Sequence, residues 1–431
     1  MTPEGGPNAS SPGASAQAAR EKIQQAVEGA LGEIDPEGRR IVVLIPDLTR
    51  SAPIPLFFRA LADALSPRAR RVDFAVALGT HPPLAEPQIE RLVGMAAPER
   101  RARYPNVEVF NHEWGRPEAL EKIGALSRRE VSELTGGLLS EDVDVVLNRR
   151  VLRDYDRILI SGPVFPHEVV GFSGGNKYLF PGVSGDAFLQ FFHWLGALIT
   201  NPKVNGQPQT PVRALIDRAA RWIPVPRKAF SFVVGEGDAL LAVFFGDVED
   251  SWTRAVEVSR RAHIRLVPRP YRRVLAQAPE MYDDLWVGGK CMYKLEPIVA
   301  DGGELVIYAP HIREVSYTHG RILDEIGYHT RDYFVAHWER FRRYPWGVVA
   351  HSTHVRGIGT YEGGVERPRI RVTLATGIPE ERCRRIGLGH LDPETVRPEE
   401  WKGREAEGIL YVPRAGETLY RLKDPPDWAR P

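Results

Sequence analysis

Short apolar runs alternate with helical segments along the first part of the chain, and this alternation restricts the fold more than any other feature. The patterns predict strands at 41–45, 72–78, 107–110, 143–147 and 157–161, and helices at 16–31, 55–65 and 86–93. Strands that are apolar along their whole length are buried on both faces, which is typical of a parallel sheet covered by helices. The sequence therefore predicts an α/β fold built on a mostly parallel sheet.

Polar side chains follow several of these strands at the point where each strand ends. Asp47 and Arg50 come after the first strand, His81 follows the second, and a glycine-rich segment follows Ser161. In open α/β sheets, ligands bind outside the carboxyl ends of the strands. We therefore expect the functional site at this edge of the sheet.

The length of the chain, 431 residues, exceeds what one ordinary hydrophobic core holds, and we expect two domains of unequal size. A Pro- and Arg-rich segment at 265–273 predicts a linker. A second βα set follows it, with a strand at 274–276, a helix near 289–300 and a strand at 304–309. The predicted divisions are a disordered leader at 1–19, a first domain at 20–268, a second at 269–400 and a tail at 401–431. Whether the tail packs on the first domain stays open.

Composition argues against several classes of protein. The 57 basic and 56 acidic residues nearly cancel, which gives no electrostatic reason to expect nucleic acid or a membrane surface as partner. No apolar run reaches the roughly 18–20 residues that a membrane span needs. The leader has neither a basic start nor an apolar stretch, unlike a signal peptide. With only Cys291 and Cys383, a disulfide framework is excluded, and we expect a cytoplasmic protein.

Lysine is scarce, which draws attention to Lys177. Only nine of the 57 basic residues are lysines, and an amine supports chemistry that a guanidinium cannot perform. Lys177 ends the segment GFSGGNK at 171–177, whose glycines let the backbone approach a ligand closely. A tight turn explains such a loop equally well, and its spacing matches neither the phosphate-binding GxxxxGK[ST] pattern nor GxGxxG.

The wider stretch at 148–182 makes the pattern specific, because HEVVGFSGGNKYLFPG resembles the lactate racemase family. That family has a histidine, then G-[FY]-S-G-G-x-K, then P-G. Its G-T-H turn is matched at 79–81, its D-x-T-R motif at 47–50, and a further element, FFGDVEDSW, ends at Trp252. The resemblance is clear from about residue 39 to residue 267 and thinner to about residue 395.

The resemblance implies a role for each matched residue. Lys177 would carry a nickel-pincer nucleotide, a Ni(II) pyridinium-3-thioamide-5-thiocarboxylic acid mononucleotide, through a thioamide, and His193, sixteen residues later, would ligate the nickel. His81 and His167 would be the catalytic acid and base. The remaining implied residues are cofactor-binding Asp47, Ser173, Gly174 and Gly175, and substrate-binding Arg50, Lys290 and Trp286. The first domain would hold the cofactor, the second would bind substrate and close, and the site would lie in the cleft between them.

The chemistry fits these residue types. Hydride removal from a 2-hydroxy acid gives a planar 2-keto acid that can accept hydride on either face, and the cofactor would accept and return that hydride. Imidazole nitrogen suits nickel in a square-planar site. The two enantiomers present their hydroxyls on different sides, so two bases are needed, and histidine has a suitable pKa. The expected activity is that of an isomerase, a racemase or epimerase of a small 2-hydroxy acid.

Two departures from the family leave the substrate open. Asn176 stands where an arginine is usual, and Val287 replaces a glutamine in a Y-Q-x-x-K motif that aligns with Trp286 to Lys290. The lost polar contact predicts that lactate is a poor substrate. We weigh a small aliphatic acid slightly above a polyhydroxy acid, for which Asn176, His351 or His354 would supply the contact. An epimerase of a larger sugar or aryl acid is the alternative.

Other readings are weaker. A non-catalytic nucleotide-binding homologue has no reason to keep both bases and the metal ligand, and an NAD-dependent dehydrogenase lacks its dinucleotide fingerprint. His112, His351 and His354 lie outside the motifs, and we expect structural roles for them. The expected partners are the small-molecule substrate and, transiently, the enzymes that make the cofactor.

Overall fold

The computed structural model describes residues 12–49, 52–235, 237 and 239–430. The strands of this part are β1 Arg40–Ile45, β2 Arg71–Val76, β3 Val107–Asn111, β4 Leu120–Leu126, β5 Val143–Asn148, β6 Arg157–Pro163, β7 Pro166–His167, β8 Gly171–Phe172, β9 Arg227–Val234, β10 Leu240–Gly246, β11 Ile264–Val267, β12 Tyr271–Gln277, β13 Val299–Ala309, β14 Gly359–Glu362, β15 Val365–Pro368, β16 Arg371–Thr376, β17 Gly389–His390, β18 Ile409–Val412 and β19 Leu419–Leu422. The α-helices are α1 Pro12–Ile34, α2 Ile54–Leu65, α3 Glu86–Val93, α4 Ala97–Arg103, α5 Arg128–Thr135, α6 Arg149–Arg153, α7 Asp186–Ile199, α8 Asn201–Val204, α9 Pro211–Ala220, α10 Val248–His263, α11 Leu285–Gly288, α12 Lys290–Leu295, α13 Gly320–Ile326, α14 Arg331–Ala336, α15 Trp338–Phe341, α16 Trp346–Arg356 and α17 Glu380–Arg385.

A six-stranded sheet in the order β10-β9-β6-β1-β2-β3 forms the centre of the N-terminal part. Its pairs are parallel except β9 with β10. Alternate residues of β1 face opposite cores: Ile41 and Val43 pack with α1 and α2, whereas Val42 and Leu44 pack with α7 and α9. Burial on both faces explains why this strand is apolar throughout. The predicted mixed α/β fold with a mostly parallel, helix-flanked sheet is confirmed.

A second sheet, with the order β17-β16-β13-β12-β18, is parallel throughout. Helix α7 connects the cores of the two sheets. Phe188 and Phe192 of α7 belong to the core of the first sheet, and Trp194 and Ala197 belong to the core of the second. The residues on α7 therefore lie between the two sheets. The division of the chain into two domains at 268/269 stays a prediction.

Two expectations about local secondary structure, one for a strand and one for a helix, were wrong. The strand at 143–147 exists as β5, but it pairs antiparallel with β4 in a separate two-stranded sheet. Its alternation of buried and exposed residues marks a strand with one solvent-facing side. The helix expected near 289–300 ends at Leu295, ahead of Pro297, and residues 299 and 300 already belong to β13.

The segment at 265–273, expected to be a linker, contributes to two strands. β11 pairs in parallel with β19 near the end of the chain, and β12 begins at Tyr271. The buried guanidinium of Arg421 in β19 donates hydrogen bonds to the carbonyls of Asn205 and Pro202. The C-terminal segment therefore contacts both β11 and the turn after α8. Among the described residues, no helix is long and apolar enough to cross a membrane.

Candidate functional site

The first two strands bring Asp47 and His81 together at one edge of the sheet. β1 and β2 are parallel neighbours paired through Ile45 and Val76, so the turns that follow them meet. The Asp47 carboxylate Oδ2 lies 2.5 Å from Nδ1 of His81. Its Oδ1 accepts hydrogen bonds from the backbone N–H and the hydroxyl of Thr49. The Asp47 side chain is 8% exposed and the His81 side chain 52%, so a buried carboxylate orients an accessible imidazole.

This contact assigns the tautomer of His81. A carboxylate can only accept, so Nδ1 of the ring carries the proton and Nε2 presents a lone pair. The Gly79–His81 turn is anchored to the loop that contains Lys177, because Gly79 N–H donates to the carbonyl of Gly182 over 2.9 Å. Gly79 has φ +59°, a conformation that glycine adopts without strain. Asp47 therefore positions His81, a contact that the sequence did not predict, and cofactor binding by Asp47 stays a prediction.

His167 lies in the hairpin of β7 and β8 and is buried. Its Nδ1 accepts a hydrogen bond from Val169 N–H at 3.1 Å, so the neutral ring carries its proton on Nε2. The carboxylate of Glu168 lies 3.5 Å from the same Nδ1, where it would stabilise a ring protonated at that nitrogen. His81 and His167 thus each have a carboxylate near Nδ1.

The glycine-rich loop is packed tightly against α10. A Cβ at Gly174 would come within 2.8 Å of Val164, and one at Gly175 within 3.1 Å of Trp252. The Ser173 hydroxyl donates to the carbonyl of Pro163 and accepts from Phe165 N–H. The Ser173 carbonyl accepts from the indole N–H of Trp252. Close packing within the protein therefore accounts for the small residues at 173–175, and cofactor contact by them stays a prediction.

Lys177 lies in the short 3-10 turn Gly175–Tyr178 that follows this packed segment and is half-buried. Its neighbour Asn176 is buried, and the side-chain amide nitrogen of Asn176 donates to Asp217 and Glu249. Asn176 lines a cavity of about 390 Å³ together with Arg213, and that lining includes neither Lys177 nor His193.

His193 lies on α7, between the two sheets. Its Nδ1–H donates to the carbonyl of Leu189 at 2.8 Å, which leaves the lone pair on Nε2. The pKa of His193 is lowered to about 4, mainly by burial and to a lesser extent by the nearby charge of Lys177. The ring is therefore neutral near pH 7, in the form that binds a metal, and its second nitrogen is held by a carbonyl as is usual for metal-bound histidine. No group of three or more His, Cys, Asp or Glu side chains suited to a metal ion occurs within the described ranges.

Trp286 and Lys290 come from the part of the chain that forms the second sheet. Asp284 caps α11 by accepting from Val287 N–H at 2.9 Å. The Trp286 indole stacks on His351, with ring centroids 4.1 Å apart and an interplanar angle of 23°. Lys290 begins α12, and its Nζ lies 5.0 Å from the centroid of the Tyr282 ring. Arg50 lies outside the described residues.

Electrostatic contacts connect the residues from the two sheets. Burial and, to a lesser extent, the charge of His81 lower the pKa of His319, and Asp186 opposes them. The His319 ring packs on Trp286, with ring centroids 4.7 Å apart. Burial, and then the charges of His354, His319 and His193, lower the pKa of His351 well below its usual value. His81, His193 and Trp286 thus belong to one cluster with His319 and His351.

Sequence reasoning missed part of this cluster. His351 and His354 were expected to be structural, and Glu168 and His319 were not singled out. The spacing of His351 and His354, three residues apart on α16, places both on one helix face and was the available signal. His112 does have contacts of a structural kind, with Nε2 at the carbonyl of Ser184 and Nδ1 at the amide of Asn148.

Comparisons with known proteins show what the sequence and the fold of this chain are similar to. The sequence model of the lactate racemase N-terminal domain matches residues 8–205. A crystal structure of a protein from Thermotoga maritima has a TM-score of 0.84 at 32% identity, covering 94% of this chain and 98% of that one. The lactate racemase apoprotein of Thermoanaerobacterium thermosaccharolyticum has a TM-score of 0.72 over 94% of this chain and 93% of its own, and its 17% identity makes this a likeness of fold. No curated protein matches the chain.

The two mostly parallel sheets, with histidines gathered between them, define an α/β protein whose fold is similar to that of the lactate racemase apoprotein. Residues 8–205 match the lactate racemase N-terminal domain, so this part of the chain belongs to that domain family.

Proposed function

We propose that this protein is a racemase or epimerase of a small 2-hydroxy acid that works with a nickel-pincer nucleotide tethered to Lys177. The observation that supports this best is the pair of carboxylate–imidazole contacts, Asp47 with His81 and Glu168 with His167. A nearby carboxylate stabilises the imidazolium that forms when either ring gains a proton. Two such histidines, on turns after different strands, suit a reaction that removes a proton from one side of a substrate and delivers one from the other.

The residues present fit the proposed cofactor. His193 offers a neutral imidazole with its Nε2 lone pair unused by the Leu189 contact, and Lys177 is close enough for its charge to lower the pKa of His193. Lys177 would hold the nucleotide and His193 the nickel, with Asp47, Ser173, Gly174 and Gly175 as the proposed cofactor-binding residues. When bound, the cofactor supplies a hydride acceptor that returns the same hydride, so no net oxidation occurs.

The histidines then handle the proton. With one enantiomer, Nε2 of His81 accepts the C2 hydroxyl proton while the C2–H bond breaks, which leaves a planar 2-keto acid. A protonated His167 would then return a proton to the oxygen of this keto acid when the bound cofactor gives the hydride back. Asp47 and Glu168 stabilise the charged rings in turn. The reverse reaction exchanges the two roles.

Arg50 and Lys290 are the proposed holders of the substrate carboxylate, and Trp286 forms an apolar wall. A guanidinium grips a carboxylate through two parallel hydrogen bonds, and an ammonium adds a point charge. For Arg50 the proposal rests on the D-x-T-R motif alone. We also propose a cytoplasmic location, a small-molecule substrate and transient contact with cofactor-synthesis enzymes, on the basis of composition and family.

The test is to produce the protein together with cofactor-synthesis enzymes and to examine both the chain and its activity. Intact mass and peptide mapping should find an adduct on the peptide that contains Lys177. Chiral chromatography should show inversion of at least one small 2-hydroxy acid. Lys177→Arg should lose the adduct and the activity, whereas Lys402→Arg at an exposed ion pair should keep both. Inversion by protein whose Lys177 is unmodified would contradict the proposal.

A further inference from the structure

Valine at position 287 stands where the resemblance implies a glutamine near the substrate, and three other side chains are candidates to supply the missing polar contact. Two of them do not fit this role. The amide nitrogen of Asn176 is held by Asp217 and Glu249, and its Oδ1 has no partner among the described residues, but Asn176 lines a different cavity that includes neither Lys177 nor His193. Both ring nitrogens of His351 lie near tyrosine hydroxyls, at 2.7 Å from Tyr293 and 3.3 Å from Tyr328. His354 is the third candidate.

His354 has an unused hydrogen-bonding atom inside the protein. The residue is 4% exposed, and its Nε2 has no hydrogen-bond partner in the part of the chain that the structure describes. Burying a polar atom without a partner destabilises the folded protein, so such atoms are uncommon unless a ligand or water meets them. An orphaned nitrogen next to a proposed substrate site therefore points to a contact with the substrate.

The surroundings of His354 bring it near the proposed metal ligand and the neighbour of a proposed base. It lies on α16, which packs against α7, the helix of His193. Glu168, which is next to the proposed base His167, is close enough for its charge to affect the pKa of His354. His354 is in turn close enough to affect the pKa of His193. Its ring also packs edge-to-face on Tyr293, with centroids 5.7 Å apart, which fixes the orientation of the imidazole.

His354 is uncharged near pH 7, because burial lowers its pKa to about 4. Depending on the tautomer, a neutral imidazole donates or accepts at Nε2. A hydroxyl group matches either state because it both donates and accepts. A charged group such as a second carboxylate would instead require a cation that His354 does not provide.

We propose that Nε2 of His354 hydrogen-bonds to a hydroxyl on C3 or C4 of the substrate, so that the preferred substrates are 2-hydroxy acids that carry a further hydroxyl. The inference rests on the proposed racemase function and deepens it, because it names the substrate class. His354 determines specificity here, and the proton transfers remain with His81 and His167.

The experiment compares two acids of nearly equal size, glycerate and 2-hydroxybutyrate, in which a hydroxyl replaces a methyl group. Using protein loaded with cofactor, kcat/KM should favour glycerate by about tenfold, the value of one buried hydrogen bond. His354→Leu should abolish this preference through loss of glycerate turnover. His354→Gln should retain part of it, because its amide can also form a hydrogen bond. Thr353→Val removes a buried hydroxyl that is satisfied within the same helix, and it should leave the preference unchanged.

A second readout is independent of turnover. The Nε2 resonance of His354 in ¹⁵N-histidine-labelled protein should shift on addition of glycerate and stay in place with 2-hydroxybutyrate. The melting temperature of each variant checks that it is folded. Wild-type protein that prefers 2-hydroxybutyrate, or His354→Leu protein that loses both acids equally, overturns this inference alone. Failure of the wild type to invert any 2-hydroxy acid overturns the proposed function as well.

Discussion

The Asp47 carboxylate lies 2.5 Å from Nδ1 of His81 and holds the ring so that Nε2 is the accessible nitrogen. A carboxylate that accepts from Nδ1 fixes the ring orientation and selects one tautomer. It also stabilises the imidazolium that forms when Nε2 takes a proton. Asp47 is therefore a positioning residue for His81, and in the proposed mechanism its effect on turnover would pass through His81.

Asp47→Asn should preserve the shape of this contact and disturb its chemistry. An asparagine can turn its amide N–H toward Nδ1, which then accepts and leaves the proton on Nε2, the wrong nitrogen for a base. We expect kcat to fall about 10²–10⁴-fold in the direction in which His81 is the base, with a smaller effect on KM. ¹⁵N shifts of His81 should report the tautomer change, and Asp47→Glu should restore part of the activity. An unchanged tautomer in Asp47→Asn would contradict the role.

The two proposed bases should separate by substrate enantiomer. His81→Ala should still oxidise the enantiomer whose hydroxyl faces His167, and His167→Ala the opposite enantiomer, because each variant retains one base. Acid quench of a single turnover should then reveal keto acid from one enantiomer only, without completed inversion. The control is His390→Ala, which should behave as wild type. The His390 ring lies away from the cluster, with its Nδ1 4.0 Å from the Glu380 carboxylate. Identical failure of both variants with both enantiomers would mean that the bases do not act on opposite sides.

Metal analysis distinguishes a ligand from a base. His193→Ala removes the only protein side chain that we propose to bind nickel, so nickel retained after desalting should fall several-fold even with cofactor present. His81→Ala and His167→Ala should keep wild-type nickel content while losing turnover. Mass spectrometry of Lys177 provides the internal check that the nucleotide was attached in each case. Stoichiometric nickel in His193→Ala would exclude His193 as the ligand.

The buried neutral state of His354 should be visible in the dependence of stability on pH. Its pKa is lowered from 6.5 to about 4 by burial, so the unfolded chain binds a proton that the folded chain does not. Stability from this group is therefore present above pH 6.5 and is lost as the pH falls towards 4. The full difference between the pKa values of His354 in the unfolded and folded chain corresponds to about 3 kcal/mol in the free energy of unfolding.

The measurement compares denaturant unfolding of the wild type and His354→Gln at several pH values between 7 and 4. Because glutamine does not titrate, the wild type should lose more stability over this range than the variant. Parallel curves would show that His354 already ionises normally in the folded protein. Thr353→Val should follow the wild-type slope.

The sequence predicted the architecture well where its pattern was strong. β1, β2 and β6 were recognisable because burial on both faces makes them apolar throughout, and their ends located Asp47 and His81 correctly relative to the sheet. Pairing partners were harder to infer. β5 has a strand pattern, but local sequence does not reveal that β4, with its weak alternation, is its antiparallel neighbour.

The candidate site could be predicted only in part for a similar reason. Motif positions singled out His81, His167, Lys177 and His193 as candidates, whereas contacts between distant segments cannot be predicted from spacing. The Asp47–His81 contact joins the turns after two strands, and the stacking of Trp286 on His351 joins α11 to α16. Nε2 of His354 has no hydrogen-bond partner among the described residues, and only a three-dimensional structure reveals this.

The last prediction concerns Val287 itself. Its side chain packs on the core of the second sheet beside Trp286, and valine offers no hydrogen bond where family members have glutamine. A substrate group that loses a buried partner loses about 1–3 kcal/mol, or about ten- to a hundredfold in affinity. Lactate should therefore be a poor substrate of the wild type, and Val287→Gln should raise kcat/KM for lactate by about tenfold or more.

A panel of single-enantiomer acids assayed by chiral chromatography tests this: lactate, 2-hydroxybutyrate, glycerate, malate, phenyllactate and gluconate. Val287→Leu is the matched control, because it changes volume without adding a polar group and should leave lactate poor. The melting temperature should show that both variants fold, since position 287 is only partly buried and α11 keeps its Asp284 cap through backbone N–H. If lactate is the best substrate of the wild type, or if Val287→Leu improves lactate as much as Val287→Gln does, the missing hydrogen bond does not control the substrate.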